Sequence, residues 1–375
     1  MTPSRRARLQ PRRASLRKLA GLGGSVAAWA HAPLAWARPV PASAVAPASR
    51  VWLDLSRYQR SDGALITHVD TPDEVDPYFG LKAIWLAHRL GMEVGTVWRQ
   101  WATWMVTHQD ADGRWGRWAV VNGVGLATVR ARDADADDAL LALWLQCVAE
   151  LGLPPDLQDA HRDGFRRASA YLLGPLFDVQ RGVYRIFADE EAHLWMDNIE
   201  VWSALQSMAR ADLGWCGPWA QAVPWQRRAD SLAQAMRKVF ASDGQALPKV
   251  STQRLPGPAR FYPHLVTAPF AWLHGWTDAP QSAQPSVRMA LWSARHEAQW
   301  VAQAQHDYPW GLLAAAAWQD GAHPIAARWL QRAQALRGGP RWNILEEAAW
   351  QALSASWGGV TSPLTSDDIT KKATP

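Results

Sequence analysis

Residues 139–151, Ala139-Leu140-Leu141-Ala142-Leu143-Trp144-Leu145-Gln146-Cys147-Val148-Ala149-Glu150-Leu151, are apolar around nearly every side of a helix. A helix of that kind is buried on all its faces. Segment 225–240 has the opposite character. Trp225, Ala229, Leu232, Met236, Val239 and Phe240 recur at helical spacing, while Arg227, Arg228, Asp230 and Arg237 take the other side. Such a helix covers a core and faces water. The two kinds alternate along the chain. Segments 80–90, 197–209 and 311–318 resemble 139–151, and segments 95–107, 159–173, 284–303 and 323–337 resemble 225–240. A last helix over 343–356 opens a sixth pair, which 51–66 is placed to complete. Inner helices alternating with outer ones predict an all-α chain folded as an (α/α)6 barrel, with an open solenoid of the same hairpins as the alternative. Hairpins of unequal length without a repeat consensus favour the closed ring. Strand patterns are confined to short linker pieces at 117–121 and 182–186.

The ends bound the compartment. Arg12-Arg13 precedes a broken apolar stretch and the small-x-small site Ala35-Trp36-Ala37, the pattern of a twin-arginine signal over 1–37 cleaved after Ala37. A Pro/Ala linker follows over 38–50, the toroid is expected over 51–357, and 358–375 reads as a disordered tail. The formal net charge is +5, and residues 1–37 carry seven basic residues and no acids, so removing them leaves −2. A near-neutral body has no electrostatic footprint for nucleic acid, and no segment is apolar over a spanning length. A periplasmic or secreted monomer is expected. The two cysteines, Cys147 and Cys216, have no metal spacing and read as buried thiols. No metal and no organic cofactor is implied.

The unusual residues gather where the inner helices begin, which in a ring is one rim. These segments hold Glu74, Asp76 and Tyr78; Asp135, Asp137 and Asp138; Trp195, Asp197 and Asn198, with Glu200 a turn later; Tyr262 and His264; Asp307, Tyr308 and Trp310; and Trp342 with Asn343. Helix capping accounts for Asp73 and for part of the 133–138 cluster. It does not account for four carboxylates in six residues, nor for rings beside them. The chain has 25 Trp against 7 Phe and 6 Tyr. Those at helix ends offer flat faces suited to sugar rings.

These residues resemble the six-hairpin glycosidases, nearest by motif to glycoside hydrolase family 8, the bacterial endoglucanase type. Asp73-Glu74-Val75-Asp76-Pro77-Tyr78-Phe79-Gly80 is similar to that family's early Ser-Glu-Gly-x-x-Tyr-Gly segment, which would make Glu74 or Asp76 the proton donor. Asp135-Ala136-Asp137 followed by an apolar helix is similar to its Asp-Ala-Asp segment, which would place Asp135 on the sugar. Val75 and Ala134 depart from the pattern. The segment Leu194–Glu200 lies outside it and is similar to Met-Asp-Asn segments of helical-toroid proteins from polysaccharide loci.

The expected function is hydrolysis of a polysaccharide or its oligosaccharides, and the resemblance implies inversion. Glycoside hydrolysis needs one acid to protonate the leaving oxygen and one carboxylate to activate water or attack. Asp197, Asp135 and Glu74 are the catalytic candidates. Asp76, Tyr78, Asp137, Asp138, Trp195, Asn198, Glu200, Tyr262, His264, Asp307, Tyr308, Trp310 and Trp342 are the candidate sugar contacts. Three other readings stay open: a polysaccharide lyase using Tyr262, His264 or Tyr308; a glycan-binding protein on the same scaffold; and, more remotely, a terpene cyclase. The last rests on Asp135–Asp138 as a DxDD motif and on Gln109-Asp110-Ala111-Asp112-Gly113-Arg114-Trp115 as a QxxxGxW motif.

Overall fold

The computed structural model describes residues 51–71, 74–120, 128–153, 155–242, 248–255, 258–277 and 284–360. The expected signal and linker over 1–50, Asp73, and residues 361–375 of the tail lie outside the described residues. In chain order the elements are β1 (Glu74–Val75), α1 (Pro77–Arg89), α2 (Gly95–Thr107), β2 (Gly116–Val120), β3 (Thr128–Asp133), α3 (Asp137–Leu151) and α4 (Pro155–Leu173). Then come β4 (Phe177–Asp178), β5 (Val183–Tyr184), α5 (Trp195–Arg210), the short α6 (Pro218–Ala222), α7 (Trp225–Val239) and α8 (Thr267–Leu273). The last four are α9 (Pro285–Gln303), α10 (Gly311–Gln319), α11 (His323–Gln334) and α12 (Ile344–Val360).

The inner helices close a ring. α1 packs on α3, α3 on α5, α5 on α8, α8 on α10, α10 on α12, and α12 returns to α1. The outer layer follows the two-faced segments: α2 lies on α1, α4 on α3, α7 on α5, and α11 on α10 and α12. The sixth outer position differs from expectation. Residues 51–66 hold no helix. They run as turns and isolated bridges, with the Leu53 amide donating to the Glu93 carbonyl at 2.9 Å and the Asp54 amide donating to the Gln351 side chain at 2.9 Å. Leu53, Leu55, Tyr58, Leu65 and Ile66 still bury, so the segment covers its seam without regular structure. α12 also continues to Val360, past the expected boundary at 357.

Each inner helix starts on the same rim, and β1, β2 and β3 form a small antiparallel sheet beside the first two starts. The QxxxGxW segment leads into β2 and is structural. The Gln109 amide donates to the carbonyls of Gly113 and Gly164 at 2.8 and 2.9 Å, and the Trp115 indole donates to Met105 at 2.6 Å. Gly113 sits at φ 100, where a Cβ would stand 2.5 Å from the Arg167 carbonyl carbon. Only glycine fits such a left-handed, crowded position. Both cysteines are buried free thiols, as expected from their spacing.

Candidate active site

Strand register builds the centre of the rim. β1 pairs with β2 so that Val75 lies opposite Trp118. The next step along brings Asp76 to Arg117. β3 ends at Asp133, two residues before Asp135. The Arg117 Nε donates to Asp76 at 2.7 Å, and its Nη2 lies 3.1 Å from Asp135. Both contacts belong to one planar guanidinium, so the two carboxylates stand within roughly 8 Å of each other. Glu74 lies within the same field: burial pulls the Arg117 pKa down, but Asp76, Asp135 and Glu74 together hold it above the ordinary value. Burial pushes the Asp76 carboxyl up, against the Arg117 charge. Both Asp76 oxygens are occupied by donors, since Oδ1 accepts from the Tyr78 amide at 3.1 Å as the cap of α1. Asp135 is partly exposed and Glu74 half-buried.

Aromatic rings wall this group. Phe79 meets Tyr308 edge-on at 5.8 Å, and His68 lies 6.3 Å from Tyr308. Burial pushes the Tyr308 phenol up, with Asp307 and Asp76 adding to it. Burial lowers the His264 pKa, and its Nδ1 accepts the Arg260 amide at 3.2 Å. Trp310 stands 5.4 Å from Tyr262 and 5.9 Å from Phe261. Its backbone is left-handed, φ 58 and ψ 55, a conformation costing about 1–3 kcal/mol outside glycine. Glu346 holds this turn: its Oε2 accepts the Gly311 amide at 2.8 Å and its carboxylate also bonds the Trp310 backbone. Burial raises the Glu346 pKa to about 8. Asp307 is half-buried and accepts from the Gln303 amide at 2.9 Å.

Several expected site residues are sealed in the core or turn from the bowl. Asp197, the leading catalytic expectation, is fully buried in the first turn of α5. Trp195 is core: its ring meets Phe240 and Trp276 edge-on at 5.5 and 5.4 Å. Trp342 is core too, donating to Glu347 at 2.8 Å. Neither offers a face to a sugar. The Asn198 amide braces β5 against α5, accepting from the Tyr184 amide at 2.8 Å and donating to its carbonyl at 3.0 Å. Asp138 is fully buried. Asp137 turns outward to Arg114 at 3.2 Å, the guanidinium that lies over Tyr171 of α4, and burial raises its pKa to about 6. Successive helical residues point about 100° apart, so Asp137 and Asp138, which open α3, cannot both face the bowl.

The structure also brings in residues the sequence did not single out: Arg117, Phe79, His68, Lys82, His274 and Glu346. Lys82 carried a signal, as a lone basic residue deep in the apolar run of α1. α5 is likewise less apolar than it reads. Asp197, Glu200, Ser203, Ser207 and Arg210 recur every three or four residues, and three of them meet polar partners from other inner helices. Glu200 pairs with Lys82 at 2.7 Å, Ser203 accepts from Gln146 at 2.8 Å, and Ser207 donates to Glu150 at 2.6 Å. This seam ends at the opposite rim in a cleft lined by His88, Arg89, Glu150, Ser207, Arg210 and Gln319.

No family model and no curated protein matches the chain. Among solved structures it is similar to a mutant of reducing-end-xylose releasing exo-oligoxylanase complexed with xylobiose, at 10% identity and a TM-score of 0.49 over 81% of this chain and 87% of that one. It is also similar to a mutant of Rex8A from Paenibacillus barcinonensis complexed with xylose, at 13% identity and a TM-score of 0.48 over 80% and 85% of the two chains. The ring architecture of the present chain rests on its own helix packing. No described helix is long and apolar enough to cross a membrane.

Proposed function

We propose that this chain is a six-hairpin glycoside hydrolase that cleaves a polysaccharide or its oligosaccharides at the rim where the inner helices begin. One observation carries the reading: two carboxylates from adjacent hairpins, Asp76 and Asp135, meet on Arg117 beneath a wall of aromatic rings, with Glu74 two residues before Asp76 on the same strand side. Glycoside hydrolysis uses two such carboxylates. Asp76 is engaged at both oxygens and holds Arg117 and the start of α1. Glu74 then protonates the leaving oxygen, and Asp135, held in place by the Arg117 guanidinium, activates water. Tyr78, Phe79, Tyr262, Tyr308 and Trp310 stack and orient the sugar.

Glu74→Gln and Asp135→Asn each keep side-chain size and remove the ionisable group. Tested on xylo- and cello-oligosaccharides and on bacterial exopolysaccharides, each should lose about 10²–10⁴ in rate with the melting transition intact. Activity retained within tenfold in both would reject the assignment. The reaction is proposed to invert, which suits working carboxylates about 6.5–9.5 Å apart. Proton NMR of the first anomer released tests this, and a retained configuration contradicts it. The enzyme is proposed to work outside the cytoplasm after twin-arginine export. Changing Arg12 and Arg13 together to Lys should trap the precursor inside, and normal export of that variant would refute the route.

A further inference from the structure

The ring interior holds an ion pair that the proposed chemistry does not use. Lys82 of α1 and Glu200 of α5 are both shut off from solvent, and their side chains meet at 2.7 Å. α1 and α5 are not neighbours in the ring, since α3 lies between them, so this bond crosses the lumen. The ammonium also lies 2.8 Å from Nε2 of His274, at the end of α8. An ammonium only donates, so Nε2 accepts and the ring proton sits on Nδ1. Burial and the Lys82 charge keep His274 neutral, well below its ordinary pKa. The pair is cushioned by Trp85 and Phe270, whose ring centres lie 4.5 and 4.7 Å from the ammonium.

A buried ion pair gains little net stability over an apolar pair of the same shape. Its value here lies in its third contact. The Tyr78 hydroxyl donates to the same Glu200 oxygen, Oε1, at 2.8 Å. Tyr78 is partly exposed on the rim, and its own amide donates to Asp76, which holds Arg117. The chain of contacts therefore runs from His274 through Lys82, Glu200 and Tyr78 to the carboxylate group.

We propose that Lys82 and Glu200, seated on His274, are positioning residues that fix the Tyr78 hydroxyl on the floor of the bowl as a directed acceptor for a sugar hydroxyl. With its proton engaged by Glu200, the phenol presents only lone pairs to the substrate. The functional half of this inference rests on the glycoside-hydrolase reading; the positioning half does not.

The test replaces the pair by apolar residues of similar volume, K82M/E200L, beside Tyr78→Phe and the triple variant. Tyrosines labelled with carbon-13 at Cζ report the phenol bond, and the Tyr78 resonance is identified by its loss in Tyr78→Phe. K82M/E200L should melt close to wild type, while its Tyr78 resonance moves to the position of a solvent-bonded phenol. On the oligosaccharide cleaved by wild type, kcat should fall about tenfold to a hundredfold, with KM changed far less. Tyr78→Phe should lose the same factor and the triple variant no more, because all three changes break one unit. A Tyr78 resonance that stays in place, or losses that multiply in the triple variant, would overturn the proposal. If K82M/E200L does not fold, Glu200→Gln gives the same reading, with the resonance displaced part of the way. If wild type cleaves no sugar, the hydrolase reading fails alone, and the resonance still decides whether the pair positions Tyr78.

Discussion

Glu346→Gln tests the buried acid that holds the turn at Trp310. Glu346 is 2% exposed and receives the Gly311 amide, and burial lifts its pKa from 4.5 to about 8. In the folded protein at neutral pH the side chain is therefore held protonated, whereas the unfolded chain releases that proton. Between the two pKa values the unfolded state binds fewer protons, so this group makes stability fall as pH rises. Its contribution is fully present below about pH 4.5 and is lost progressively up to about pH 8. The integrated loss is about 3 kcal/mol at pH 7 and about 5 kcal/mol above pH 9, at 1.36 kcal/mol per pKa unit. Glutamine keeps the acceptor oxygen for the Gly311 amide and cannot ionise. Urea unfolding of both proteins from about pH 4 to 9 should give equal stability at the acid end, with the variant ahead by a growing margin above it. A difference that does not change with pH would refute the assignment of a buried, neutral Glu346.

Two further changes separate packing from chemistry. Gly113→Ala forces a Cβ to within 2.5 Å of the Arg167 backbone at φ 100. It should cost about 3 kcal/mol in chemical denaturation, and a loss below about 1 kcal/mol would mean the loop shifts freely. Asp197→Asn should change turnover by less than about tenfold, because the side chain is sealed from solvent; a larger loss in kcat would return Asp197 to the catalytic group.

The ring was legible because burial leaves a periodic mark: segments apolar all round became inner helices, and two-faced segments became outer ones. The rim was legible for the same reason, since the inner helices all start there. Orientation within the rim was not. Trp195 and Trp342 sit at helix starts but turn inward, and Asp137 turns outward to Arg114, because position along a helix does not fix direction around it. Arg117 was missed because its role depends on the pairing of β1 with β2, a contact between segments about forty residues apart. Lys82 and Glu200 were missed as partners because they lie 118 residues apart and meet only across the closed ring. The outer cover at 51–66 kept its apolar residues but not the helix, since Asn-free turns such as Ser61-Asp62-Gly63, with Gly63 at φ 91, interrupt it.

The most direct test of the account is the product of the reaction. The purified protein from residue 38 onward should be incubated with xylo- and cello-oligosaccharides and with bacterial exopolysaccharides, following new reducing ends and ultraviolet absorbance together. New reducing ends without the absorbance of an unsaturated sugar, and absent from Asp135→Asn, are the predicted result. Unsaturated product would make the chain a lyase, and sugar binding that quenches Trp fluorescence without any cleavage would contradict hydrolysis altogether.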